Sequence, residues 1–167
     1  MLNIQKIFEA QDKLDRKVVE VHGLEGKNLT GDVTHALYVE LGELQQEIGY
    51  FKYWKKTLKT NEADQREEWA DCMHFLASLG NKYGHVDSMI ESEYHSEEHS
   101  SKASKRHSYH TLFDILYKVD LSDIEYYAAS MASLVMIGFK LGMNYKTMEE
   151  AYFEKNQVNY DRLANGY

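Results

Sequence analysis

The sequence predicts an all-α fold, a bundle of helices, and three observations carry that prediction. No proline occurs in 167 residues, where about 5% is average, and proline is the residue that breaks helix interiors. Apolar residues recur at i, i+3, i+4 and i+7 in every long segment, the period of an amphipathic helix. The punctuation between these stripes is glycine and short polar stretches, the usual helix stops.

Taken in order, Ile4, Ile7, Phe8, Gln11, Leu14 and Val18 predict a first helix that Gly23 stops. "GLEGKNLTGD" (23–32) reads as a loop. From about Asp32, Leu37, Leu41, Leu44, Ile48 and Phe51 form one unbroken stripe, a second helix. A polar stretch around Thr60 and Asn61 leads to a third, on which Trp69, Cys72, Leu76, Leu79 and Tyr83 repeat the pattern. Between about Gly84 and His110 serine, histidine and charge dominate, and the segment to about residue 118 reads as a polar, mobile or surface insertion in a single domain spanning 1–167. "LSDIE" then opens a helix: Ser122 and Glu125 have the spacing of a capping box, with Leu121 stapled to Tyr126. That helix ends near Gly142, and a last one runs from near Asn144 to about Ala164.

Composition narrows the function classes. A chain of this length buries about 70% of the surface its unfolded form exposes, enough for one core. The net charge of −8 opposes a nucleic-acid surface, which needs lysine and arginine against phosphates. A single cysteine, Cys72, excludes an intrachain disulfide; its place on an apolar stripe makes it a core residue. The first residues lack the apolar core of a signal peptide, and "AASMASLVMIGFKLGM" is interrupted by Lys140 and too short for a bilayer. A cytoplasmic protein without membrane or nucleic-acid partners is the expectation.

Chemistry concentrates in acids. Glu40, Glu43 and Glu47 lie three and four residues apart, so they share one ridge of the second helix, beside the leucine stripe. Glu68 and Asp71 repeat the arrangement on the third. Each pair alone is what a solvated amphipathic helix carries; both pairs at the core margin of successive helices also suit a hard cation such as Mg²⁺ or Mn²⁺. Asp71 and His74, like Asp32 and His35, have the spacing of a di-iron motif, but Glu-x-x-His itself does not occur in the chain. Lys155, Asn159 and Arg162 fall at i, i+4 and i+7 on the last helix, either a solvated face or a phosphate contact. The histidines at 85, 95, 99, 107 and 110 match no zinc spacing.

Together "VELGELQQEIGYFKYWKK", "EEWADCMHFLASLGNKYG" and "AYFEKNQVNYDRLANGY" resemble the dimeric dUTP diphosphatases of the all-α NTP pyrophosphatase superfamily, in the branch of Gram-positive bacteria and their phages. The match covers the first helix, both acidic helices and the last, and leaves the insertion poorly matched. The resemblance implies a homodimer whose partner completes the site, with Mg²⁺ (Mn²⁺ as the substitute) on Glu40, Glu43, Glu68 and Asp71. It implies phosphate contacts from Lys52, Lys155, Asn156, Asn159, Arg162 and Tyr167. Gln11, Asp15, Trp54, His74 and Phe75 would hold the nucleoside. It implies attack of water on the α-phosphorus of dUTP, with dUDP as a further substrate, Glu40 as base, and dUMP and pyrophosphate as products of dUTP. Two rivals share these motifs: a MazG-type pyrophosphohydrolase of another nucleotide, and a phage interaction protein that binds a host regulator on the same fold.

Overall fold

The computed structural model describes residues 2–91 and 96–166. They form α1 (Ile4–His22), α2 (Thr30–Ile48), α3 (Glu62–Tyr83), α4 (Val86–Glu91), α5 (Glu97–Ser104), α6 (Tyr109–Lys118), α7 (Ile124–Lys140) and α8 (Tyr145–Ala164), with no strand among the described residues. The fold class is all-α, as the proline count and the stripes predict.

Local chemistry sets most of the boundaries. Asn3 caps α1 by accepting from the Lys6 amide, Asn61 caps α3 through the Ala63 amide, and Asn144 and Thr147 form a reciprocal capping box at α8. α2 stops at Gly49, whose φ of 70° lies in the left-handed region that glycine enters without strain. The stop comes one turn before the apolar stripe suggests, so Phe51 lies in the following turn and not on α2. At α7 the predicted cap is displaced by one residue. Asp123 accepts from the Glu125 and Tyr126 amides, while the Ser122 hydroxyl donates to Asp120 Oδ1. A carboxylate is a stronger acceptor at a helix N-terminus than a hydroxyl, and Asp123 takes the position.

α3 is the central helix. α2 lies along it most extensively, and α1, α7 and α8 pack on its remaining faces. Trp69 is fully buried and donates its indole N–H to the Leu134 carbonyl at 2.8 Å; Tyr127, also fully buried, donates to the Leu76 carbonyl at 2.8 Å. These two bonds tie α7 to α3 while the rings fill the space between, each large side chain contributing about 1.5–3 kcal/mol by burial. Gly80 permits the crossing with α1: a Cβ there would stand 2.6 Å from Phe8 Cε1 and overlap the Tyr127 hydroxyl.

The segment from 84 to 118 is more structured than its composition suggests. Apart from residues 92–95, which lie outside the described residues and include His95, it folds as α4, α5 and α6. Leu112, Phe113 and Leu116 join the main core, Met89 is buried under α4, and His85 is buried with Nε2 3.1 Å from the Leu121 carbonyl. These helices are short and bury one to three residues each, in α5 only the polar Ser104, too few apolar anchors to show a period in the sequence. Cys72 is buried and free, as expected. No helix among the described residues is long and apolar enough to cross a membrane.

Candidate active site

Burial of Leu37, Leu41 and Leu44 on α2 and of Trp69, Cys72 and Met73 on α3 fixes the rotation of both helices. Glu40, Glu68 and Asp71, one position off those stripes, are thereby held half-buried at the seam. One oxygen from each lies within 4.8 Å of the others. Glu40 and Glu68 stand close enough to act on each other. Burial, then the charges of Asp71 and Glu43, pushes the Glu40 carboxyl up to about 7. Burial and the neighbouring Glu43, Asp71 and Glu40 take Glu68 to about 7 as well. Glu68 Oε2 is buried and has no hydrogen-bond partner. Glu43 is exposed and outside this three-carboxylate group. Three residues advance a helix by about 300°, so Glu43 is turned roughly 60° from Glu40, yet its charge still bears on both glutamates.

One cation is already present. Lys155 of α8, 7% exposed, sets Nζ 2.7 Å from Asp71 Oδ2 and 2.7 Å from Glu67 Oε1. Burial alone would lower its pKa, but the bonds from Asp71 and Glu67 outweigh that and raise it. Burial raises the Asp71 carboxyl despite the ammonium beside it.

A cleft of ≈ 460 Å³ opens beside the acids, within the size range of small-ligand pockets. Glu40 and Asp71 form one side of it, Asn159 and Arg162 of α8 another. Gln11, Asp15, His74 and Phe75 line the remainder. Asp15 accepts from Gln11 Nε2 at 2.7 Å and from Ser78 Oγ at 2.5 Å, and burial raises its pKa. His74 Nδ1 stands 2.8 Å from the Ala70 carbonyl; a carbonyl only accepts, so Nδ1 carries the hydrogen. Burial depresses the His74 pKa to about 4. Its ring is therefore neutral near pH 7, and Nε2 is a bare acceptor, buried and without a partner among the described residues. A second groove of ≈ 600 Å³ meets this region at Lys155 and Glu67, but it contains none of the three clustered acids.

A family model for dUTPase matches residues 3–167. The chain belongs to the dUTPase family. It is a hydrolase acting on the anhydride of a nucleoside triphosphate, with dUTP as the family's substrate. No curated protein matches the chain.

Most of the predicted residues converge. The cleft and its acid edge bring together Gln11, Asp15, Glu40, Asp71, His74, Phe75, Asn159 and Arg162, with Glu68 and Lys155 adjoining. Asn156 lies on the buried side of α8. Lys52 and Trp54 stand apart. After Gly49 ends α2 the chain leaves the seam; Lys52 donates to the Gln46 carbonyl at 2.6 Å, and Trp54 is 60% exposed against Tyr53 and Phe51. Neither lines the cleft of its own chain. Tyr167 lies outside the described residues.

Three residues escaped the sequence reading. Glu67, the first acid of "EEWAD", holds Lys155; only its adjacency to Glu68 signalled it. Ser78 and Tyr152 hold the polar groups of the cleft, and in the sequence both read as ordinary helix positions.

The acid seam fits a divalent cation. All its donors are carboxylate oxygens, the preference of Mg²⁺ and Mn²⁺, and a buried glutamate oxygen lacks any partner. No histidine belongs to the group, which removes the di-iron arrangement weighed for Asp71 and His74.

Proposed function

We propose that the protein hydrolyses dUTP to dUMP and pyrophosphate with Mg²⁺ as the ion, Mn²⁺ substituting and dUDP accepted as a second substrate. Glu40, Glu68 and Asp71 hold the ion, with Glu43 close enough to join them. The observation that carries this reading is the seam itself: three carboxylates from two helices within 4.8 Å, two of them raised to about 7, beside a cleft also lined by Gln11, Asp15 and His74. When bound, the ion neutralises triphosphate charge and lowers the pKa of water towards neutrality.

The chain's own residues do the rest. Glu40, at the edge of the cleft beside the other two acids, takes the proton from the water that attacks the α-phosphorus. Lys155, together with Arg162 and Asn159, would meet phosphate oxygens and stabilise the charge that develops there. Asn156 and Tyr167 complete this phosphate set. His74, Gln11, Asp15 and Phe75 hold the nucleoside. A homodimer gives Lys52 and the exposed Trp54 a place in the partner's site. A cytoplasmic setting, the Gram-positive or phage branch, and a regulatory protein partner where the chain is phage-encoded follow from the same reading.

A panel of nucleoside tri- and diphosphates with Mg²⁺, read as monophosphate and pyrophosphate released, tests it. Preference for dUTP supports the proposal. Turnover of another triphosphate with dUTP ignored would assign the site to a MazG-type relative, and no turnover at all would favour the interaction protein.

A further inference from the structure

Tyr152 is fully buried and touches two of the cleft's polar groups, Gln11 and His74. Its hydroxyl is 3.0 Å from Gln11 Oε1 and 3.2 Å from the Ile7 carbonyl. Its ring stacks on His74 with centroids 4.2 Å apart and planes 18° from parallel.

These contacts have a direction. Gln11 Oε1 and the Ile7 carbonyl oxygen are acceptors, so the hydroxyl donates and shares its one hydrogen between them, with the Asn156 side chain as a further neighbour. Gln11 then faces Tyr152 with its carbonyl oxygen and Asp15 with its amide nitrogen, at 2.7 Å. Turning the amide over would place its oxygen against the Asp15 carboxylate and lose the 2.7 Å bond, so Asp15 sets the amide's sense and the Tyr152 hydroxyl meets the oxygen that sense presents. On the opposite side Ser78 donates to the second oxygen of Asp15 at 2.5 Å. The result is one oriented chain, Tyr152 to Gln11 to Asp15, closed by Ser78. An amide nitrogen carries two hydrogens and a carboxylate about four lone-pair sites, so after these bonds Gln11 still has an N–H to give and Asp15 still has oxygen to offer. A donor beside an acceptor is the complement of a C=O beside an N–H, the imide edge of a pyrimidine such as uracil. A ring with an amino group and a bare nitrogen at those positions meets the pattern in the wrong register.

We propose that Tyr152, with Ser78, is a positioning residue for base selection: it fixes the Gln11 amide and the His74 ring so that the cleft accepts an imide edge over an aminopyrimidine edge. The proposal rests on the function proposed above and assigns its selectivity to two residues that need not touch the substrate's reacting atoms. Tyr152 lies one helical turn before Lys155 on α8, so base reading and phosphate contact are carried by one rigid element.

The test compares Tyr152→Phe and Ser78→Ala with the unaltered full-length protein, measuring kcat and KM for dUTP, dTTP and dCTP with Mg²⁺ and the Tm of each. Tyr152→Phe keeps the ring, its stack and nearly all of its volume, removing one hydroxyl. A neutral hydrogen bond contributes about 0.5–1.5 kcal/mol, so the expected result is a KM for dUTP raised about three- to tenfold. The dUTP over dCTP preference should narrow by a similar factor, with kcat within about twofold; Ser78→Ala should shift the same two quantities in the same direction. If both folded variants keep the KM and preference of the unaltered protein, or lose kcat equally on all three nucleotides, Tyr152 is only a packing residue and the inference is overturned. Should Tyr152→Phe fail to fold, Ser78→Ala decides alone by the same criteria. An unaltered protein that ignores dUTP overturns the proposed function and this inference together, whereas an active protein with indifferent variants overturns this inference only.

Discussion

Replacing Lys155 by methionine removes the ammonium that pairs with Asp71 at the acid seam while keeping most of the side-chain stem. Two ion pairs of 2.7 Å are lost, and they are unequal. The Glu67 side chain is 55% exposed, so its share is within the 0–1 kcal/mol of a surface pair. Asp71 is only 15% exposed and would be left beside Glu40 and Glu68 with the weaker influence of Arg162 in place of a direct ion pair. Removing one partner of a buried pair costs about 3–5 kcal/mol; because Asp71 sits at a cleft and can take a proton, we place the loss at the low end, about 3 kcal/mol in metal-free protein at pH 8. For a chain of this size that is a fall in Tm of about 6–12 °C. The loss should shrink at pH 5, where Glu40 and Glu68, at about 7, are protonated and no longer repel Asp71. Saturating Mg²⁺ should restore much of it, since a cation again faces Asp71. Thermal unfolding followed by circular dichroism, at both pH values and with and without Mg²⁺, reads all of these. A Tm drop of the same size at pH 5 and 8, unmoved by Mg²⁺, would show that Lys155 acts by packing alone and that its charge does not hold the seam.

The acids themselves give sharper outcomes. Glu40→Gln and Asp71→Asn should each lower dUTP turnover by orders of magnitude with an unchanged helical spectrum; near-normal turnover and unchanged metal affinity in both would return these groups to the solvated surface. Glu40 and Glu68, raised from 4.5 to about 7, must lose protons to take an ion. Affinity for Mg²⁺ should therefore fall as pH drops below 7, by up to about tenfold per unit for each proton displaced. The same shifts mean that the metal-free folded state binds more protons than the unfolded chain between pH 4.5 and 7, so this pair stabilises at low pH and loses that contribution as pH rises through 7. His74, lowered from 6.5 to about 4, has the opposite sign, its contribution being complete above 6.5 and lost as pH falls towards 4. The Tm gain from Mg²⁺ should thus grow from pH 6 to 8, and a gain independent of pH would contradict the assignment. Gly80→Ala, which forces a methyl group onto Phe8 and Tyr127, should cost about 1–3 kcal/mol as a lower urea midpoint; an unchanged midpoint would show that α1, α3 and α7 do not meet as closely as described.

How much of this was legible in the sequence follows from length of pattern. α1, α2, α3, α7 and α8 are long enough for several apolar repeats, and their ends carry asparagine and glycine signals, so they could be read directly. α4, α5 and α6 bury one to three residues each in a serine- and histidine-rich stretch, and no periodicity survives at that length. The acid seam was legible because Glu40, Glu68 and Asp71 abut strong stripes that fix helix rotation. Glu43 was harder, since i+3 places a side chain near its neighbour without saying which of the two faces inward. The pairing of Lys155 with Asp71 and Glu67 is a contact between residues 84 and 88 positions apart, and no local spacing encodes it. Tyr152 illustrates the same limit: on a helix it reads as core, and only its distance to Gln11 reveals a polar task. Trp54 and Lys52 depend on a turn after Gly49 whose path the stripe did not predict.

Hydrolysis of dUTP in ¹⁸O-labelled water, with products separated and weighed by mass spectrometry, addresses the central claim directly: that the carboxylate seam, loaded with a divalent ion, directs water onto the α-phosphorus. The account predicts one ¹⁸O in dUMP and none in pyrophosphate, and loss of turnover in excess EDTA. Label appearing in pyrophosphate or inorganic phosphate instead, or full turnover persisting in EDTA, would contradict it.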